Sequence, residues 1–195
     1  MVDFKSILAA IEKHITLDDV ERAALLSSLE SRSLKAGDII ARSGEQAQHF
    51  IFVNMGCLMT YFTDSNGVER VLQFATASWW TGDLDSFSKH NKSCYTTRAL
   101  VDTEVFLLTY PGFESLLEKV PKLEKYFRVL FQNSLVAHGR RITEINSYSA
   151  EERYEAFRQR YPTLEQFVPQ KYIASYLGVT PEFLSKVRRR ISHKA

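Results

Sequence analysis

Residues 169–195 hold six basic side chains, Lys171, Lys186, Arg188, Arg189, Arg190 and Lys194, against one acid, Glu182. That segment therefore carries +5 of a whole-chain net charge of +2, and the residues before it sum to −3. A near-neutral body with a basic end implies local contact with a polyanion rather than general stickiness. Other chemistries lack their residues. Iron–sulfur ligation takes about four cysteines, whereas Cys57 and Cys94 are the whole supply. Zinc lacks its ligand spacing too, with His14, His49, His90, His138 and His193 scattered along the chain. No Gly-x-Ser-x-Gly elbow, phosphate-binding loop or His-Glu-x-x-His motif occurs. The expectation is a protein that is not an enzyme, with no metal and no cofactor.

The elements that must position the basic cluster can be read locally. Ile173, Ala174 and Leu177 give one apolar helical face, and Gly178 breaks it. Thr180 then stands at an N-cap, and Pro181 at the first helical position, where its missing N–H costs nothing. A second helix is expected to bury Phe183, Leu184, Val187 and Ile191. Small Ala at the crossing, Gly at the turn and matched apolar faces are what a helix-turn-helix demands. Its outward face would carry Thr180, Glu182, Ser185, Lys186 and Arg189 toward bases, and Lys171, Arg188, Arg190 and Lys194 toward phosphates.

At 195 residues, 45% hydrophobic and 12% aromatic, the chain can bury a substantial core. No apolar run reaches the roughly 18 residues of a membrane span, and no signal peptide opens the chain, so a cytoplasmic, reduced protein without membrane contact is expected. Helices are expected at 4–14 and 17–30, the second opened by Thr16 with Asp19. From Lys35 to about Tyr110 the texture becomes β-branched and aromatic, broken by turn signals. Strands are expected at 38–42, 49–54, 57–63, 68–75, 94–100 and 103–109, with Asn66-Gly67 as a hairpin turn. Such short strands imply an antiparallel sandwich or roll. Of the adjacent Trp79 and Trp80, one should fill this roll and the other face outward.

Pro111 opens a short helix and Pro121 a long one ending near Ser147. Phe131, Leu135, His138, Ile142 and Ile145 form a heptad-like seam along it, while Leu123, Phe127, Leu130 and Ala137 form a second stripe. Ser149 with Glu152 is a capping box for a further helix at 150–160, leaving 146–149 as a hinge.

A β-roll, a heptad-bearing helix and a terminal helix-turn-helix together resemble the cyclic-AMP-receptor/fumarate-nitrate-regulator (Crp/Fnr) family of bacterial transcription factors. The most specific residues are Ala36-Gly37-Asp38, Gly44-Glu45, Gly56, Gly82-Asp83-Leu84 with Phe87, and the run PQKYIASYLGVTPEFLSKVRRR. The stretch from Tyr154 through Tyr172, with VPQKYIASYLGVTPEFLS, resembles a Bacteroidetes-like branch. The resemblance implies an α+β chain in three parts. These are an effector-sensing, jelly-roll-like β-roll with flanking helices (1–120), a dimerisation helix (121–147), and an all-α helix-turn-helix domain without a complete wing (148–195). It also implies a homodimer on a roughly palindromic double-stranded DNA operator. RNA polymerase and an unidentified small-molecule effector stand as further partners.

The resemblance places an effector pocket at Trp80, Gly82, Asp83, Ser93, Cys94 and, on the long helix, His138. Nucleotide-binding members have a Glu after the Gly for the ribose, then an Arg and a small hydroxylated residue about ten positions on. Here Asp83 is one methylene shorter, and Ser93 and Cys94 stand at the Arg and hydroxyl positions. A phosphodiester without its bidentate Arg loses its main charge-assisted bond, so cyclic AMP is not the expected effector. The alternative is a β-roll sensor that signals through protein contacts without reading DNA.

Overall fold

The computed structural model describes residues 3–192, so Lys194 and His193 lie outside the described residues. The chain opens with α1 (Lys5–Glu12) and α2 (Asp19–Ser27). The cap of α2 is Asp18 rather than Thr16: its carboxylate accepts from Glu21 N at 2.8 Å, and Glu21 Oε2 accepts from Asp18 N at 2.9 Å. Glu at the third helical position closes the reciprocal box two residues later than the Thr16–Asp19 reading.

Among the described residues eight strands follow, interrupted by one short helix: β1 (Glu30–Leu34), β2 (Ile39–Ala41), β3 (His49–Met55), β4 (Cys57–Thr63), β5 (Glu69–Thr76), β6 (Trp80–Thr81), α3 (Leu84–Lys89), β7 (Thr96–Ala99) and β8 (Thr103–Thr109). They form two four-stranded sheets, ordered β1-β8-β3-β6 and β2-β7-β4-β5. The expected α+β class and β-roll hold. β1 was not expected, because its sequence ESRSL buries only Leu34 at a sheet edge. β3 does the opposite. Phe50 and Phe52 enter a core lined by Ile7, Ile11, Leu25, Trp80, Phe106, Leu116 and Phe127, while Ile51 and Val53 enter a second core with Leu58, Val105 and Leu107. A strand buried on both faces must read as a near-continuous apolar run. Gly56, between β3 and β4, has φ +94°, and a Cβ there would stand 2.5 Å from Thr103 Oγ1.

The helices α4 (Tyr110–Lys119), α5 (Lys122–Ser147), α6 (Ala150–Arg160), α7 (Gln170–Leu177) and α8 (Pro181–Ser192) follow among the described residues. Ser149 and Glu152 form the expected capping box of α6. Packing divides the chain into two compact units: residues up to Phe62 with Gln73–Phe131, and Thr63–Leu72 with Gln132 onward. The division passes through α5. Its first turns bury Leu123, Tyr126 and Phe127, and Phe131 packs on Phe50 and Phe127. Beyond Gln132 the helix exposes Leu135, Val136, His138, Ile142 and Ile145. Ala137, expected on the packing stripe, is exposed as well, because that stripe runs out where the first unit ends.

Candidate nucleic-acid interface

In the second unit, α7 and α8 form the expected helix-turn-helix. Gly178 adopts φ +70°, its N–H donates to Ser175 O, and Val179 N donates to Ala174 O at 3.0 Å. This Schellman pattern satisfies the last carbonyls of α7 with a residue that tolerates the left-handed region. Thr180 Oγ1 accepts from Phe183 N at 3.2 Å and so caps α8. Gln170 ties the two helices, donating through Nε2 to Pro181 O at 3.2 Å and to Ser185 Oγ at 2.7 Å. Ile173, Ala174, Leu177, Leu184 and Val187 are buried with Tyr154 and Phe157 of α6. Phe183 is the exception. Expected in this core, it is 41% exposed, since Leu184 and Val187 already define the buried side of α8.

The sequence-predicted DNA residues separate by what they touch. Thr180, Glu182, Lys186 and Arg189 are exposed on α8 or its cap. The backbone N–H of Glu182, and then the Thr180 side chain, hold the Glu182 carboxyl below its usual value. Ser185 is half-buried, and its hydroxyl is engaged by Gln170 and donates to Pro181 O at 3.0 Å. Arg188 and Arg190 point back to acids, Arg188 Nε to Glu165 at 3.7 Å and Arg190 Nη1 to Glu151 at 3.1 Å. Lys171 is exposed on α7, its ammonium 4.8 Å from the Tyr172 ring centroid.

Sequence reasoning missed how this motif is seated. The start of β5 packs on α7: Val71 N donates to Ser175 Oγ at 3.0 Å, and Ser175 Oγ donates to Glu69 O at 2.9 Å. Arg141 of α5 donates to Val71 O and Tyr176 O, both at 3.1 Å, with its guanidinium 3.9 Å from the Tyr176 ring centroid. Burial pulls the Arg141 pKa below its ordinary value. A cleft of about 460 Å³ lies between hairpin and motif, lined by Glu69, Arg70, Lys171, Tyr172, Thr180 and Pro181 among others. The partners of Glu69 and Val71 in this seat are 70 to 106 positions away in the chain, so no local pattern announces them.

The residues expected to form an effector pocket lie in the first unit, apart from His138, which is exposed on the stretch of α5 assigned to the second. Trp80 is buried, stacked on Phe50 at 4.7 Å and donating through Nε1 to Tyr126 Oη at 2.9 Å; Trp79 is the exposed member of the pair. Gly82 has φ +151°, and a Cβ there would come within 3.3 Å of the Phe50 ring. Asp83 caps α3: its Oδ1 accepts from Asp85 N at 3.2 Å and Ser86 N at 3.3 Å. Its Oδ2 accepts from the buried Ser93 hydroxyl at 2.7 Å. The two residues aligned with ribose and phosphate binding are thus bonded to each other. Cys94 is exposed, whereas burial pushes the Cys57 thiol up to about 12. A further polar cluster inside the roll escaped the sequence reading, with Thr60 Oγ1 3.0 Å from Thr97 Oγ1 and Gln73 Nε2 donating to Thr81 Oγ1. Among the described residues no group of three or more His, Cys, Asp or Glu could hold a metal ion. No helix among them is long and apolar enough to cross a membrane.

Residues 31–120 match the cyclic nucleotide-binding domain family. The transcriptional regulatory protein btr of Bordetella pertussis is 28% identical over 155 residues, covering 73% of this chain and 62% of that protein. The chain's match thus spans less than two thirds of that relative's length. The fumarate and nitrate reduction regulatory protein of Vibrio cholerae is 24% identical over 189 residues, covering 90% of this chain and 74% of that protein. Among solved structures, FixK2 from Bradyrhizobium japonicum aligns with a TM-score of 0.72 at 16% identity over 85% of each chain, a likeness of fold. Residues 31–120 thus match a cyclic nucleotide-binding domain, and the curated proteins matched beyond it, into the terminal helices, are transcriptional regulators to which this chain is similar.

Proposed function

We propose that this chain is a homodimeric, sequence-specific regulator that binds double-stranded DNA through α8, acts in the cytoplasm, and does not take cyclic AMP as its effector. The observation that carries the reading is α8 itself. Its buried side is fixed by Leu184 and Val187 and its N-terminus by Thr180, which leaves Glu182, Lys186 and Arg189 outward on one rigid element. Lys or Arg pairs with guanine O6 and N7, and Glu accepts from the cytosine amino group, so this face carries the donors and acceptors that read major-groove edges. Lys171 supports a phosphate contact from α7.

The exposed seam of α5 supports the dimer. Leu135 is 73% exposed and Ile142 62%, an apolar surface that a two-fold mate would bury at heptad-like spacing. A two-fold axis would set two recognition helices about one DNA turn apart, roughly 34 Å, on a near-palindromic site. The domains proposed are the β-roll (1–120), the dimer helix (121–147) and the reading head (148–195). Contact with RNA polymerase belongs to the same proposal.

Selection from a random duplex library, followed by a salt titration of the enriched duplex, tests the reading. Enrichment of a two-fold-related sequence with steeply salt-dependent affinity is expected. Failure to enrich any sequence overturns it. For the dimer, Leu135→Glu should sediment as a folded monomer with weakened operator binding, and a variant that stays dimeric removes the seam.

A further inference from the structure

We infer that Phe183 is a specificity-determining residue that reads thymine, its ring meeting the 5-methyl group in the major groove. The inference deepens the DNA-binding reading above and rests on it. Phe183 is the third residue of α8, in the turn that a reading helix presents to base edges. Its backbone is fixed, because its N–H donates to the capping Thr180 hydroxyl at 3.2 Å. Its side chain lies outside the fully buried core of the motif, which is made on α8 by Leu184 and Val187, each 1% exposed. A 41%-exposed phenylalanine thus stands among Thr180, Glu182 and Lys186, all of them exposed and polar.

Charge selects the occupant of this apolar spot. Lys186 lies one helical turn on from Phe183, on a neighbouring side of α8, with Arg189 exposed beyond it and Lys171 exposed on α7. A surface framed by cations suits a polyanion, and the thymine methyl is the one apolar group that a polyanionic major groove offers at base edges. Methyl recognition needs an apolar surface held at a fixed place rather than a hydrogen-bonding group. A ring on a capped helix turn supplies it. Glu182 beside it and Lys186 one turn on would read the flanking bases, so the three residues together distinguish more sequence than the two charges alone.

The test uses the full chain and the duplex enriched by selection, with each thymidine replaced in turn by deoxyuridine, which removes only the methyl. At one thymine per half-site, wild type should bind the uracil duplex about three- to five-fold more weakly, the scale of one buried methyl group. Phe183→Ala should bind the thymine duplex more weakly by a similar factor and should not distinguish thymine from uracil at that position. Phe183→Leu should retain part of the distinction, and thermal melting of both variants should match wild type. An enriched site without a thymine in each half, or a uracil penalty that is the same in wild type and Phe183→Ala, overturns this inference while leaving the DNA-binding reading standing. If selection enriches nothing, both fall together.

Discussion

Asp83 with Ser93 in the β-roll, and Glu182 with Lys186 on α8, are polar residues in opposite situations. Both carboxylate oxygens of Asp83 are engaged inside the chain, one by the backbone of α3 and the other by Ser93, and Ser93 is only 5% exposed. A ligand entering there would first have to break hydrogen bonds that already satisfy buried groups. On α8, by contrast, the Lys186 ammonium has no ion-pair partner among the described residues and stands in solvent. The capped N-terminus holds the Glu182 carboxyl in its charged form. Closed polar networks stabilise a fold, whereas charges held outward on a rigid element are available to a partner. The matched cyclic nucleotide-binding family covers the first region, yet the outward charges on which the DNA-binding proposal rests are in the second.

The largest effect that sharpens this comparison is expected at Lys186. Lys186→Ala should cost about 1–3 kcal/mol of discrimination between the selected operator and a mismatched duplex, one to two decades in relative affinity. Melting should not change, since an exposed side chain without a partner is removed. Fluorescence anisotropy on matched and mismatched duplexes measures it, and an equal loss on both would make Lys186 a phosphate contact instead.

Asp83→Ala should act the other way, on stability alone. The variant removes the cap of α3 and leaves the Ser93 hydroxyl without its acceptor, together worth about 1–2 kcal/mol. For a chain of this size that lowers Tm by roughly 2–8 °C. Operator affinity in the folded protein should be unchanged. If Asp83→Ala instead shifts operator affinity with no change in melting, the closed network is a working effector site and the comparison breaks.

The same contrast explains what was legible in the sequence. Features made by neighbours in the chain could be read: the Asn66-Gly67 turn, the Ser149–Glu152 box, the Gly178 stop and the Thr180 cap. β1 was hidden because an edge strand that buries one residue in five lacks alternation. α3 was hidden because its cap, Asp83, doubles as the acidic residue of a ligand-binding motif. The seat of the helix-turn-helix was invisible because Ser175 meets Glu69 from 106 positions away, and no spacing rule reaches so far. Phe183 was misread because helical periodicity marks the apolar residues of α8 but not which of them the core has room for.

A smaller effect is expected from the basic residues that point back into their own unit. Arg190→Ala breaks an exposed pair with Glu151, worth about 0–1 kcal/mol of stability. On DNA it should weaken matched and mismatched duplexes alike and reduce the salt slope by about one. A specificity change at Arg190 as large as that at Lys186 would show that its pair with Glu151 opens on DNA to free a base contact.

The smallest expected effect is none: cyclic AMP should give no saturable heat in calorimetry and should not change operator affinity. The phosphate of a cyclic nucleotide carries a full charge, and in a buried site that charge needs a fixed cation. Ser93 stands at the expected position of that cation, and its hydroxyl is already given to Asp83 at 2.7 Å. The ribose fares no better, because Asp83 is shorter than the usual glutamate and its reach is used in capping α3. Ser93→Arg should not restore binding. The long side chain would replace a nearly buried serine whose Oγ also accepts from Tyr95 N at 3.0 Å, so it would break the loop that any phosphate must enter. Calorimetry on wild type and on Ser93→Arg, with melting as the check of fold, decides the point. Micromolar binding to wild type would mean that the network around Asp83 opens for a ligand, and the distinction between a closed region and an open one would then have to be abandoned.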